Sequence, residues 1–282
     1  MKTGAARTKR VQTAQETMKI VEAGEYVNSK DEVVDIREEL AYAIRHSILF
    51  RPDDPVELSP AGMEGKTNRA SIEVTGESSL DAARRLVLDK GRSDVICLNF
   101  ASAKNPGGGF LNGAQAQEES LARASGLYPC IVQMEEMYAY NRGLKTCLYS
   151  DYMILSPRVP VIRDGEDRLL DQPYVLSFLT APAVNAGVVR EREPQNEPRI
   201  GSVMLERIRR ILRAAARSGH GAVILGAYGC GVFRNRAVDV AEYFAQVLMD
   251  EGYDRLFDHI VFAVLDHSAR QENLRAFQER FA

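Results

Sequence analysis

Tryptophan is absent from the 282-residue sequence and cysteine is scarce: Cys97, Cys130, Cys147 and Cys230 lie far apart, with no CxxC pair. The four histidines, His46, His220, His259 and His267, are as dispersed and show no metal-ligand spacing. Neither a disulfide framework nor a structural metal site is expected. No run reaches the roughly 18 apolar residues that a membrane-spanning helix needs. Residues 1–7 lead into polar, charged sequence in place of a leader's apolar core. The expectation is a soluble, cytoplasmic protein without membrane contact. A basic surplus is missing too: 36 Lys and Arg stand against 39 Asp and Glu, a net charge of -3. That argues against a broad cationic surface and against direct sequence-specific nucleic-acid binding, so an anionic ligand has to be met by local devices.

What is present suffices for a large core, since 45% of the residues are hydrophobic. Val11, Ala14, Met18 and Val21 recur at roughly helical spacing in 7–23, as do Ile36, Leu40, Ala43 and Ile44 in 36–48, which predicts two helices. The Pro- and Gly-rich stretch 50–68 reads as a loop or seam. Beyond it, short apolar runs at 71–75, 95–99, 152–155, 174–179, 222–227 and 260–265 alternate with helical patterns at 78–90, 117–125, 200–217, 237–250 and 269–280. The segment 181–199 reads as an exposed loop. Fully apolar strands separated by helices indicate a sheet covered on both faces. The expected architecture is an N-terminal helical extension, residues 1–68, packed on an α/β core, residues 69–282.

Two loops carry the chemical signal. Asn99 to Glu119 begins where a buried strand ends and closes where a helix begins, at the carboxyl edge where open α/β sheets bind ligands. It holds Asn105, the triple glycine Gly107-Gly108-Gly109, and Gln117-Glu118-Glu119 in the following helix's first turn. Residues 226–233, Gly-Ala-Tyr-Gly-Cys-Gly-Val-Phe, likewise follow an apolar strand and precede a helix. Their spacing fits neither GxGxxG nor GxxxxGK[ST], yet such a loop can offer several backbone N–H groups to an anion without net charge. A diphosphate is the natural guest for two such loops side by side.

The triple glycine, seven residues, then Gln117-Glu118-Glu119 resembles the signature of the poly(ADP-ribose) glycohydrolases in their microbial-type form. Residues 226–233 with Arg234-Asn235 resemble that family's diphosphate-binding loop, with Tyr228 where Phe is expected, and Val74 to Ala83 resembles its strand-helix entry. The resemblance implies a three-layer α/β/α macrodomain with a mixed central sheet. It also implies hydrolysis of the ribose–ribose O-glycosidic bond of poly(ADP-ribose), releasing ADP-ribose, without cofactor or metal. The polymer, ADP-ribose and poly-ADP-ribosylated proteins are the partners it implies. Glu119 is then the general acid/base, with Glu118 holding ribose hydroxyls beside it. Asn99, Asn105, Gly107, Gly108, Gly109, Gln117, Glu77, Gly226, Ala227, Tyr228, Gly229, Cys230, Gly231, Val232 and Phe233 become candidate substrate contacts.

Glycosidic cleavage needs a proton for the leaving oxygen and then a base for water. Neighbouring helical residues point about 100° apart and cannot flank one bond as a conventional pair does, so one carboxyl group is expected to do both. Plainer readings stand beside these. Acidic residues suit any first helical turn, and a triple glycine suits any turn. Phe233 is as readily a core aromatic as a stacking residue, and Glu77 either bonds adenine or caps helix 78–90. Cys230 reads as a small residue in a tight loop, and the run Arg207, Arg209, Arg210, Arg213, Arg217 as a solvated helix face that contacts polymer at most. Two other functions stay open, an ADP-ribose reader without hydrolysis and a mono-ADP-ribosyl hydrolase. The glutamate pair speaks against the reader, which has no use for a carboxyl group at a scissile bond.

Overall fold

Ala222-Val223-Ile224-Leu225 has no polar face, and such a strand must be covered on both sides. A computed structural model of the chain, which describes residues 2–56 and 68–281, shows how. Helix α1 (Lys2–Ala23) is followed by a hairpin of β1 (Glu25–Val27) and β2 (Val33–Asp35), then α2 (Arg37–His46) and β3 (Ile48–Phe50). Most of the Pro- and Gly-rich stretch, 57–67, lies outside the described residues. Next come β4 (Ser71–Thr75), α3 (Ser79–Arg84), β5 (Val95–Phe100), α4 (Gln117–Ala124), α5 (Leu127–Val132) and α6 (Glu135–Gly143). The chain continues through β6 (Met153–Arg163), β7 (Leu169–Ala181), α7 (Ala186–Arg192), α8 (Ile200–Arg217), β8 (Ala222–Leu225), α9 (Ala237–Ala245), β9 (His259–Ala263) and α10 (Glu272–Phe281).

Seven of these strands form one mixed sheet in the order β3-β6-β7-β5-β8-β9-β4. The run from β7 to β4 is parallel, while β6 is antiparallel to both of its neighbours. Successive side chains of a strand face opposite sides, and β5 shows the result. Ile96 and Leu98 join the core that α8 closes with Met204, Ile208 and Leu212. Val95 and Cys97 join the core closed by Leu121, Leu127 and Ile131. The expected three layers are the outcome.

β5 and β8 are adjacent and parallel, with Val95 opposite Ala222 and Cys97 opposite Ile224. After β5 the chain builds α4 on one face and moves to β6 and β7. After β8 it builds α9 on the other face and moves to β9. The two glycine loops therefore leave neighbouring strand ends in opposite directions, and a crevice must open between them.

The strands expected at 152–155 and 174–179 are halves of a much longer hairpin, β6 with β7. Pro157, Pro160 and Pro173 ended the apolar pattern, but β3 pairs only with residues 153–155 and β5 only with 177–181, and beyond them β6 meets only the isolated Ser125–Val161 bridge, so both strands have positions that tolerate proline. A register shift between Ser156 and Val159, with Arg158 at φ +52°, marks a bulge there. The loop expected at 181–199 contains α7.

The arginine run is not a uniformly solvated face: Arg217 is exposed, but Arg207 is not. Arg207 is 1% exposed and donates to Asp151 Oδ1 (2.8 Å) and to the carbonyls of Leu148 (3.1 Å), Pro182 (3.0 Å) and Tyr149 (3.3 Å). Arg210 and Arg217 donate to the carbonyls of Arg51 and Pro55, and Arg209 pairs with Glu251. The helical period placed Arg207 on the buried stripe, where a planar five-donor head can satisfy four acceptors. We expect Arg207→Ala to lower unfolding stability by roughly 3–5 kcal/mol in urea melts, because it orphans buried acceptors; a loss under about 1 kcal/mol would refute that role.

Candidate active site

Glu118 and Glu119 lie in the first turn of α4, as expected, yet their carboxyl groups converge on one place. Gly108 sits at φ +59°, and a Cβ built there would collide with Glu119 Oε1 and lie 3.2 Å from Glu118 Oε2. Only glycine takes both that conformation and that proximity without strain. The first loop's N–H groups serve the two acids: Gly109 N donates to Glu119 Oε1 (3.0 Å), Ser102 N to Glu118 Oε2 (2.7 Å), and Gly107 N also reaches Glu118. A carboxyl oxygen accepts from such donors, so these N–H groups orient the glutamates.

The two acids differ in depth. Glu118 is 2% exposed, whereas Glu119 is half-buried at the crevice. Burial pushes the Glu118 carboxyl up to about 8, and the neighbouring Glu119 adds to the rise against the pull of Ser102 N–H. Behind it, Asn99 is fully buried, with Nδ2 3.3 Å from Glu118 Oε1 and 3.1 Å from Thr180 Oγ1. Its Oδ1 has no partner among the described residues. Turned over, the amide offers that oxygen to a protonated Glu118, so the pocket accommodates either charge state.

Several residues read as substrate contacts hold the framework instead. Asn99 lies behind Glu118 and meets a ligand only through it. Gln117 Oε1 accepts from Phe100 N (2.8 Å), while Nε2 donates to Leu98 O (2.8 Å) and Ser79 Oγ (3.1 Å), which pins α4 to the end of β5 and leaves no amide proton for a ligand. The Tyr228 side chain is buried and donates to Ala181 O (3.1 Å), so that position can contact a ligand only through its backbone. Glu77 pairs with Arg85 (2.7 Å) on the far side of β9, and helix α3 is capped by Ser78, whose Oγ accepts from Asp81 N. Asn105 is exposed on the rim, its carbonyl closing the glycine turn through Gly108 N (2.9 Å).

The second loop is the one with spare donors. Among the described residues, the N–H groups of Gly229, Gly231, Val232 and Phe233 reach no protein acceptor. Gly226 and Ala227 start the turn from β8, and Val232 is 78% exposed at its tip. Gly229, at φ +74°, has room for no side chain, since a Cβ would lie 2.6 Å from Ala183 Cβ and 2.7 Å from Asn235 Nδ2. Asn235, which the resemblance included after the loop, ties the loop down through Val184 O (2.8 Å) and Gly229 O (3.0 Å). Burial pushes the Cys230 thiol up to about 12, far from thiolate chemistry at neutral pH. Phe233 packs on the core and against the Tyr149 ring, half-buried.

Helix α1 braces the site from below. Arg7 Nε donates to Asn112 O (3.0 Å) and Arg10 Nε to Gly113 O (2.9 Å), the turn joining the triple glycine to the glutamate helix. Ala14 packs with Phe110 and Ala122, and Thr17 Oγ1 donates to Arg123 O (2.6 Å).

Gly231 is the place to test the second loop, because a Cβ there would meet nothing within 4 Å. Gly231→Leu should leave the melting temperature unchanged and weaken ADP-ribose binding at least about tenfold by covering the free N–H groups. Unchanged affinity in calorimetry would refute an anion site there.

A mixed α/β/α sheet with a nest of free N–H groups beside a loop-oriented carboxyl pair defines a hydrolase of sugar-phosphate conjugates on a macrodomain-type fold. Comparison with known proteins makes this specific. Residues 14–164 match the family described as microbial-type PARG, catalytic domain. The fold matches the crystal structure of poly(ADP-ribose) glycohydrolase from Thermomonospora curvata at 43% identity and TM-score 0.89, over 97% of this chain and 100% of that one. The inhibitor-bound form with ADP-HPD matches at TM-score 0.88. The enzyme from Deinococcus radiodurans in complex with ADP-ribose matches at 43% identity and TM-score 0.80, over 86% of this chain and 96% of that one. A search of curated proteins finds no match. The chain belongs to the microbial-type poly(ADP-ribose) glycohydrolase family, whose members are glycosidases acting on poly(ADP-ribose).

Proposed function

We propose that this glycohydrolase cleaves the ribose–ribose bond of poly(ADP-ribose) through Glu119, which protonates the departing ribose oxygen and then, as carboxylate, takes a proton from the attacking water. The observation that carries the reading is the Glu119 carboxyl, half-buried at the crevice and aimed by Gly109 N–H, beside a loop with four N–H groups that reach no acceptor among the described residues. Those donors, the N–H groups of Gly229, Gly231, Val232 and Phe233, suit the diphosphate of the ADP-ribose unit next to the bond. Glu118, whose carboxyl is pushed up to about 8 by burial, holds ribose hydroxyls beside it. The Phe233 ring and the rim residue Asn105 flank the terminal sugar.

A pure reader would gain nothing from the convergence of two carboxyl groups under Gly108, which favours hydrolysis over that alternative. The polymer arrives on poly-ADP-ribosylated proteins. Four free cysteines suit the reducing cytoplasm, and among the described residues no helix is long and apolar enough to cross a membrane. Incubation with end-labelled poly(ADP-ribose), with products resolved by length, tests the whole reading: free ADP-ribose should accumulate. Intact polymer after prolonged incubation would leave only binding.

A further inference from the structure

We propose that Tyr149 is a positioning residue, holding the Phe233 ring in place and linking the second glycine loop to the first. This rests on the glycohydrolase reading for the part Phe233 plays with the sugar.

The first sign is backbone strain. Tyr149 adopts φ +57°, a left-handed conformation that bulky residues avoid unless their surroundings enforce it. The enforcing contacts are visible. The buried Arg207 guanidinium grips the carbonyls of Leu148 and Tyr149 and the Asp151 carboxylate, fixing the chain on both sides of the strained residue. The Tyr149 hydroxyl meets the Asn185 side chain. Asn185 in turn caps α7 by accepting from Val188 N (3.2 Å), and its own N–H donates to Cys147 O (2.9 Å).

These anchors point the ring at the crevice. Its centroid lies 5.9 Å from that of Phe233, the planes inclined at 49°. Phe233 is held from the same helix end, since Gly187 N donates to its carbonyl (2.9 Å). From the first loop, Lys104 Nζ stands 5.9 Å from the Tyr149 centroid, and Arg142 fixes that lysine's backbone through its carbonyl (2.7 Å). Both rings are half-buried, so they form part of a wall and not of the core. Tyr149 thus meets a side chain from each glycine loop while its backbone is clamped from behind. Removing the ring frees Phe233 to turn, and displacements of about 1 Å in a site suffice for losses of about 10²-fold.

The test is a coupled set of variants read by calorimetric ADP-ribose affinity and by kcat on polymer. Tyr149→Leu should weaken ADP-ribose binding about tenfold, while Tyr149→Phe, which keeps the ring, stays within about threefold of wild type. In a Phe233→Leu background the Tyr149→Leu effect should shrink below about threefold, because the ring then has nothing to hold. A merely structural role would not give that coupling. Tyr149→Gly guards against misfolding, since glycine suits the left-handed backbone without the ring; it should keep its fold and bind as weakly as the Leu variant. Wild-type affinity in the Leu or Gly variant, failure of Phe to rescue, or effects that simply multiply in the double variant would overturn the proposal. If wild type leaves the polymer intact while the affinity pattern holds, the glycohydrolase reading fails and the role of Tyr149 stands.

Discussion

Glu119→Gln should lower kcat on poly(ADP-ribose) by on the order of 10³–10⁴-fold while leaving ADP-ribose affinity within a few-fold of wild type. The structure makes this a clean substitution. Glu119 Oε1 accepts from Gly109 N, a bond that an amide oxygen keeps, and the side chain's shape is nearly unchanged. What disappears is the titrating proton. If one carboxyl group performs both transfers, its removal blocks glycosidic cleavage and water activation alike, so no partial rescue by an alternative acid is expected. Glu118 is poorly placed to substitute. Its carboxyl is held by Ser102 N–H on one oxygen and by Asn99 Nδ2 on the other, and only 2% of its surface is exposed. Single-turnover rates with excess enzyme separate chemistry from release; a Gln variant that turns over polymer at a tenth of the wild-type rate or better would remove Glu119 from the mechanism.

Much of this site was legible before any coordinates. The apolar runs of β5 and β8 marked buried strands, and the order of strand, glycine loop and helix in each case placed both loops at one sheet edge. The glutamates' position in a first helical turn followed from Gln117 opening the helix. What the sequence could not say is which donors serve which acceptors. The first loop resembles an anion cradle, and its N–H groups at Ser102, Gly107 and Gly109 turn to the carboxyl groups of Glu118 and Glu119. Gln117 and Tyr228 sit at signature positions, yet their polar atoms are consumed by Leu98, Phe100 and Ala181, partners far away in sequence, and the Asn99 amide is turned to Glu118 and Thr180. Arg207 reads as a surface charge by composition and is a buried clamp by periodicity, a distinction visible only once α8 has a sheet to face. Prolines hid the length of β6 and β7, because an open strand edge is a property of the sheet and not of the strand. The brace from α1 had no local signal at all: Arg7 and Arg10 reach acceptors more than a hundred residues away.

Glu118→Gln is expected to move stability and activity in opposite directions. The Glu118 carboxyl is raised from 4.5 to about 8, chiefly by burial. A carboxyl group with a raised folded-state pKa binds a proton in the native chain that the unfolded chain has already released, so its stabilising contribution is complete below about 4.5 and is lost as pH climbs through about 8. Each unit across that window removes about 1.4 kcal/mol. Glutamine resembles the protonated acid at every pH: its oxygen can accept from Ser102 N and its amide can donate to the unpartnered Asn99 Oδ1. The melting-temperature difference, variant minus wild type, should therefore be near zero at pH 4.5, positive at pH 7, and largest near pH 9, where it corresponds to several kcal/mol. Turnover should fall by on the order of 10²-fold, because a carboxyl oxygen beside the sugar is replaced by an amide group that only donates. A residue whose removal stabilises the fold and damages the reaction is held there for function. Parallel scans at pH 5, 7 and 9 decide it: a stability difference that stays flat with pH would show that the buried acid does not titrate as its surroundings demand, and near-normal turnover would reduce Glu118 to a helix-capping acid.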